Sequence, residues 1–354
     1  MPAVELLFSD IAEIVREDGR AIDNQALRDA DALLCRSITE VDETLLKNTK
    51  IKFVGSATVG IDHLNINYLE SNNIKWSNAA GCNAVAVAQY VLSAIAYWCQ
   101  SRSRKMQGLK VGIVGAGNVG SELARCLDAL GIDCLLCDPP LQHLGDIRPL
   151  ISMQEILDCD VISLHVPLTI QGDYPTKYLF GQKELNRLDN DQLLVNTSRG
   201  EVIDNHVLEA YLSNTNHADV VLDVFENEPN ISVELVDKCL LATPHIAGHT
   251  LEGKVRGTWM IYKAFCKHFG LDLKIEEDGL YPKKENISLI NDLENDLLVV
   301  YDIFSDSSAL KLDNDETIKN KFDRLRKNAT QLVNGKVRRD YSGWNYVGEH
   351  VLPL

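Results

Sequence analysis

Basic charge is scarce in this chain: 35 Lys and Arg stand against 51 Asp and Glu, a net charge of −16. The deficit is local, because residues 281–354 hold 11 cations and 12 anions and leave −15 for the first 280. So acidic a body argues against nucleic acid or an anionic membrane as partner, and an anionic substrate has to be met by a few well-placed cations. Long apolar runs are missing too. The longest, Ala84 to Cys99, falls short of the ~18 residues of a membrane span and contains Gln89, which predicts a buried helix. The first residues, Met-Pro-Ala-Val-Glu, lack a basic n-region and an apolar core, so no export signal is expected. There is no internal repeat and no low-complexity tract. Nor do the nine cysteines form a framework: their spacings are irregular and an odd number cannot pair fully within one chain. Reduced thiols in a cytosolic protein fit that pattern. Cys134-Leu-Leu-Cys137 lies in an apolar strand with no second pair to partner it, so buried strand cysteines are expected, not a metal site or a redox pair.

What is present is a chain of 354 residues, enough for two or three domains. Residues 1–80 read as a small α/β unit, with helices near Val4–Arg16 and Glu43–Lys47 and strands at Ala32–Cys35 and Lys52–Gly55. From Val111 to Thr243 strands alternate with helical patterns, at 111–114, 134–137, 161–164, 193–195, 220–222 and 240–241, which predicts a doubly wound parallel sheet. Residues 250–269 read as one long helix. From Tyr281 the pattern turns into a polar α+β module of about 74 residues with few aromatics, too small to be comfortable without a partner surface.

The chain is organised around residues 111–138. Gly115, Gly117 and Gly120 have the G-x-G-x-x-G spacing directly after an apolar strand, and Asn118 and Val119 open an amphipathic helix. The first glycine permits a tight turn, the second lets backbone approach a pyrophosphate, and the third lets the helix pack closely. Free N–H groups at the helix start face the phosphates. Asp138 closes the next strand, where an acid binds a ribose and repels a 2′-phosphate, so NAD is the expected cofactor. Such a glycine pattern alone is weak evidence; the strand, the helix and the acid around it make it specific.

Ligands of open α/β sheets bind beyond the carboxyl ends of the strands. Arg199 follows one such strand, Asp223 and Glu228 the next, and His245 the last. Singly they could be a surface cation, a solvated acid and a satisfied core histidine. Together they supply what hydride removal from a secondary alcohol requires: a base, an acid to orient it, and a cation for a carboxylate.

Through Val114–Gly120, Asn196–Asp204, Leu222–Pro229 and Thr243–Thr250 the sequence resembles the D-isomer-specific 2-hydroxyacid dehydrogenases. Further matches at 29–39, 55–63, 135–140, 244–254 and 322–328 point to a branch acting on a phosphorylated four-carbon hydroxy acid. The resemblance implies a Rossmann-type NAD-binding domain over 96–249 and a flavodoxin-like substrate domain over 1–95 completed by 250–280. It also implies a small α+β dimerisation module over 281–354, hence a homodimer. It makes His245 the acid/base, Glu228 its partner and Arg199 the carboxylate clamp. The cofactor would meet Gly115, Gly117, Asn118, Val119, Gly120, Asp138, Val166, Asp223 and Gly248, and the substrate Ser37 and Thr58.

For the substrate phosphate, Arg36, Ser37 and Thr58 follow early strands, and His249 is a further candidate. Arg338 and Arg339 could reach a partner's site across a dimer. The chain departs from its branch at Val166, where Thr is usual, and at His249, where Tyr is usual; the sequence also begins within the expected first strand and loop, so that edge strand either lies upstream or is dispensed with. A dehydrogenase acting on 3-phosphoglycerate, or an NAD(H)-sensing corepressor of the same fold, are the other readings.

Overall fold

The short apolar runs become strands, each beginning or ending within a residue or two of its pattern. A computed structural model of the chain describes residues 1–281, 292–311, 316–329, 338–340, 345–347 and 350–352. They fall into two units, Met1–Asn83 with Thr250–Lys284, and Ala84–His249 with Glu285–Leu354.

In the first unit β1 (Ala32–Cys35), β2 (Phe53–Ser56) and β3 (Lys75–Asn78) form a parallel sheet in that order. The middle strand is buried throughout, which is why it reads as an unbroken apolar run. β3 is an edge strand with half-exposed side chains, so Lys-Trp-Ser-Asn gave no apolar signal and was not expected. Three strands are fewer than the five of a full flavodoxin-like sheet. The helix Leu251–Phe269 lies against this sheet, capped by the Thr250 side chain at its start and by Gly270 at φ 67° at its end. It packs where Gly55 has no side chain: a Cβ there would stand 2.3 Å from Ile261. The first helix is shorter than its pattern suggested, Val4–Phe8 in place of 4–16. Arg16 turns back to pair with Glu5, Nε to Oε1 at 2.9 Å. Eleven positions along a continuous helix would hold the two some 16 Å apart.

In the second unit β4 (Lys110–Val114), β5 (Asp133–Cys137), β6 (Val161–Leu164), β7 (Leu193–Asn196), β8 (Asp219–Leu222) and β9 (Leu241–Ala242) form one parallel sheet, order β5-β4-β6-β7-β8-β9. The order reverses between β4 and β6, the crevice where open α/β sheets take ligands. The helix Ala84–Ser101 covers one face with Tyr90 and Trp98 fully buried. It runs unbroken through the boundary expected at residues 95 and 96, so the division falls ahead of it.

The three described helices after residue 281 are not a detached module. The helices Leu293–Val300, Ile303–Lys311 and Ile318–Asn328 bury Leu297, Ile303, Leu310 and Phe322 in the cores on either side of the six-stranded sheet. Glu294 accepts from Met106 N at 2.7 Å, and Ser307 Oγ from Ala242 N at 3.0 Å. The partner surface that so small a segment requires is supplied within its own unit. β10 (Asn345–Val347) and β11 (His350–Leu352) pair antiparallel.

All nine cysteines are free thiols. Cys137 is buried and Cys134 partly so, and burial pushes the Cys137 thiol up to about 11. Among the described residues no cluster could hold a metal, and no helix is long and apolar enough to cross a membrane.

Candidate active site

The glycine turn leaves β4 at the switch point. Gly115 has φ 94°, and a Cβ on it would stand 2.6 Å from the His165 carbonyl oxygen at the end of β6. Gly120 lies inside the helix Asn118–Ala129, where a Cβ would come within 2.0 Å of Gly115 O. A Cβ on Gly117 would meet nothing within 4 Å. Two glycines are therefore demanded by the turn's own packing, and the middle one keeps an open approach to the backbone, as a pyrophosphate needs. Gly117 caps the helix without a side-chain hydrogen bond, which leaves its first N–H groups for an anion. Asn118 is exposed, and Val119 packs on the core beneath.

Asp138, just past β5, holds this turn with Oδ2, accepting from Ala116 N at 2.8 Å, and caps the following helix Pro139–His143 with Oδ1, accepting from Leu141 N at 3.0 Å. Arg148 was not foreseen. It donates to Ala116 O at 3.0 Å and Ser121 Oγ at 2.8 Å while paired with Asp146 at 2.7 Å. Val166 lies just past β6, partly buried against the apolar core. Its neighbour His165 bonds Ser163 Oγ and Thr197 Oγ1 at 2.9 and 3.2 Å, and burial pushes its imidazole down to about 3.

At the other end of the sheet the loops after β7, β8 and β9 meet. Asn196 shapes the first: its Oδ1 accepts from Ser198 N at 3.0 Å and its Nδ2 donates to Arg199 O at 2.9 Å. Arg199 follows in extended backbone, and its guanidinium donates to Ser198 O at 2.8 Å. Gly200 lies so close to the next loop that a Cβ would stand 2.0 Å from the Phe225 carbonyl carbon. In that loop Glu228 Oε1 accepts from Phe225 N at 3.0 Å, and Oε2 accepts from His245 Nδ1 at 2.7 Å. This bond fixes the imidazole by one nitrogen and leaves Nε2 as the one that can exchange a proton. Burial works to raise the Glu228 carboxyl, but the charge of His245 and its hydrogen bonds bring it below the usual carboxylate range.

His245 sits at φ 56°, a left-handed backbone uncommon outside glycine that costs of order 1–3 kcal/mol. The surroundings impose it. Its N–H donates to Asp223 O at 2.7 Å, and the Asp223 carboxylate accepts from Ile246 N at 2.7 Å, Ala247 N at 2.9 Å and Thr243 Oγ1 at 2.7 Å. The Thr243 hydroxyl in turn bonds Tyr90 Oη at 2.6 Å. Arg338 completes the hold, donating to Ile246 O at 2.6 Å and Ala247 O at 2.8 Å with its guanidinium 3.9 Å from the centre of the Tyr301 ring. Asp223 takes the N–H groups of Ile246 and Ala247, and Arg338 serves their carbonyls.

Arg338, a candidate for a partner's site across a dimer, donates from both terminal nitrogens within its own unit, to Ile246 O, Ala247 O and Ala86 O. Asp223 is only 1% exposed, and burial, opposed by His245 and these hydrogen bonds, raises its carboxyl to about 6. What the fold adds to its expected place beside a nicotinamide is that it builds the loop. Gly248 and His249 follow, both half-buried, with His249 N donating to Ile246 O at 2.9 Å.

The remaining expected substrate residues belong to the other unit. Arg36 is half-buried and Ser37 exposed just past β1. Thr58 follows β2, but its hydroxyl donates to Gly60 O at 2.9 Å and bonds Ser56 Oγ at 2.7 Å, so its proton is engaged locally. Ser56 also bonds the buried His63 Nε2 at 2.8 Å. Asn196, Thr243 and Gly200 lie within matched stretches but carry no expected role of their own, and Arg338 is expected at a partner's site and not at this loop.

Residues 88–247 match the family described as D-isomer specific 2-hydroxyacid dehydrogenase, NAD binding domain. The chain is 43% identical to an erythronate-4-phosphate dehydrogenase of Marinobacter nauticus, covering 92% of this chain and 89% of that one. It is 42% identical to another of that name from Shewanella halifaxensis, over 97% and 91%. Among solved structures it is similar to an NAD-bound 3-phosphoglycerate dehydrogenase of Entamoeba histolytica, with TM-score 0.65 and 22% identity over 77% of this chain and 92% of that one. An NAD complex of a formate dehydrogenase from Staphylococcus aureus has TM-score 0.61, also at 22% identity, over 75% and 87%.

Proposed function

The chain belongs to the D-isomer-specific 2-hydroxyacid dehydrogenases, NAD-dependent enzymes, and from that premise we propose that it oxidises 4-phospho-D-erythronate to 2-oxo-3-hydroxy-4-phosphobutanoate, a step toward pyridoxal 5′-phosphate. The observation that carries the reading is the 2.7 Å pair of His245 and Glu228 past the carboxyl ends of the sheet, in a chain more than 40% identical to relatives of that name.

The turn Gly115–Gly120 and Asp138 would hold NAD, which when bound accepts the hydride from C2. His245 Nε2 takes the C2 hydroxyl proton. Glu228 orients the imidazole through Nδ1 and stabilises the imidazolium that forms. Arg199 clamps the carboxylate. The phosphate falls to Arg36, Ser37 and the backbone N–H groups of the turn that carries Thr58, whose own hydroxyl proton is engaged by Gly60 O, with His249 contributing when protonated.

The test is NADH formation with 4-phosphoerythronate, erythronate and 3-phosphoglycerate, repeated with Arg36→Ala, Ser37→Ala and His249→Ala. Phosphoerythronate should be turned over with much the highest kcat/KM. A phosphate ligand's variant should lose efficiency toward that substrate alone; a charge-assisted contact to a buried anion is worth on the order of 2–5 kcal/mol. Preference for 3-phosphoglycerate would overturn the substrate assignment, and equal losses toward both erythronates would remove that residue from the phosphate site.

The enzyme is further proposed to work as a homodimer joined through residues 281–354. Two large apolar side chains there, Val299 and Phe304, are 77% and 51% exposed, which supports this reading. Sedimentation of the full-length chain should give twice the 39.5 kDa monomer mass, and Val299→Asp with Phe304→Asp should halve it. A monomeric wild type would end the proposal.

A further inference from the structure

The helix Ile318–Asn328 starts at Thr317, whose side chain caps it, and ends with Arg326 and Lys327 in its last turn. Phe322 is completely buried in the core of the second unit and fixes which face of the helix turns inward. Arg326, four residues on, lies on that same face. Its Nη1 stands 4.0 Å from Glu228 Oε2, the oxygen that accepts from His245 Nδ1. Arg326 is 30% exposed and Glu228 16% exposed, so the two are only partly screened by water.

We propose that Arg326 is a positioning residue for the acid/base pair, holding the Glu228 carboxylate on His245 and setting the pH range in which His245 can act as a base. The inference rests on the acid/base reading of His245. It places part of the catalytic control in the segment after residue 281, which contains none of the expected catalytic residues.

Among the described residues, the charged groups facing the pair come from three places. Asp223, past β8, interacts with His245; Arg326 interacts with Glu228 from the C-terminal helix; Glu228 and His245 act on each other. A cation at this position stabilises the carboxylate and opposes a proton on the imidazole. Without it, both groups bind protons more tightly.

Oxidation needs a neutral His245, so kcat/KM rises with pH through the histidine's titration. In Arg326→Gln that rising limb should move to higher pH by about half a unit, the effect of one partly screened charge. Arg326→Lys, which keeps the charge, should hold the limb at its wild-type position. A purely structural contact would lower the rate at every pH without moving the limb. Glu228→Gln is the control, removing an anion and moving the limb the opposite way.

NADH affinity and thermal melting report whether each variant is folded. A limb that shifts in Glu228→Gln and stays in place in folded Arg326→Gln overturns this proposal alone. A limb unmoved in Glu228→Gln overturns the acid/base reading beneath it. Should Arg326→Gln fail to fold, Arg326→Met takes its place: a limb displaced to higher pH supports the proposal, and one held in place refutes it.

Discussion

Replacing His245 with alanine should cost turnover about 10²- to 10⁴-fold, the usual loss on removing a general acid/base. NADH affinity should be nearly unchanged, because the cofactor turn is built by Gly115, Gly120 and Asp138 and owes nothing to the His245 loop. Stopped-flow turnover with fluorescence titration of NADH separates the two. Glu228→Gln should lose less rate but move the pH profile. A neutral amide no longer stabilises the imidazolium, so His245 gives up its proton more readily and the oxidation limb falls to lower pH. Glu228 also links stability to pH. Its carboxyl is lower in the folded chain than its ordinary value, so its contribution is present above that ordinary value and is lost as pH falls through the folded one. Acid should therefore weaken the fold and protonate the base together. Full activity in His245→Ala would remove the histidine from the chemistry.

Gly200→Ala should be nearly as damaging, although it adds one methyl group and touches no expected catalytic side chain. The added carbon would stand 2.0 Å from Phe225 backbone, and backbone cannot rotate aside as a flexible side chain does. The loop of Arg199 and the loop of Glu228 have to part. Overpacking of this kind usually costs 1–3 kcal/mol, and a displacement of about 1 Å in a reacting group can cost 10²-fold in rate. A melting temperature lowered by several degrees and a loss of about 10²-fold in kcat/KM are expected. Wild-type kinetics in Gly200→Ala would mean that the two loops tolerate separation and that their close approach does not set the geometry of the site.

These two residues show different degrees of legibility. His245 could be read from the sequence because chemistry restricts the choice of residue. A base working near neutral pH is most often histidine, it has to follow a strand at the carboxyl edge of the sheet, and Thr243–Thr250 resembles a known family. The glycine turn was legible because a sharp strand-to-helix turn that admits a pyrophosphate has few solutions. Gly200 stood in a matched stretch and still drew no notice, since what it must avoid is Phe225, 25 positions away. The edge strand β3 was missed because half-exposed strands carry no apolar alternation, and the first helix was overextended because Arg16 folds back on Glu5.

The amino-acid sequence by itself determined the six-stranded parallel sheet, the dinucleotide turn, and which residue types could be proposed as an acid/base set, because each depends on local periodicity, on glycine geometry or on the chemistry of one side chain. Only the tertiary structure decided how that set is held. Asp223 and Arg338 grip opposite sides of the Ile246–Ala247 backbone, Tyr90 reaches Asp223 through Thr243, and Arg326 stands beside Glu228. The physical reason is distance along the chain. These contacts join positions from 20 to 153 residues apart, and no short-range pattern records which buried polar groups will have to satisfy one another once the chain has closed.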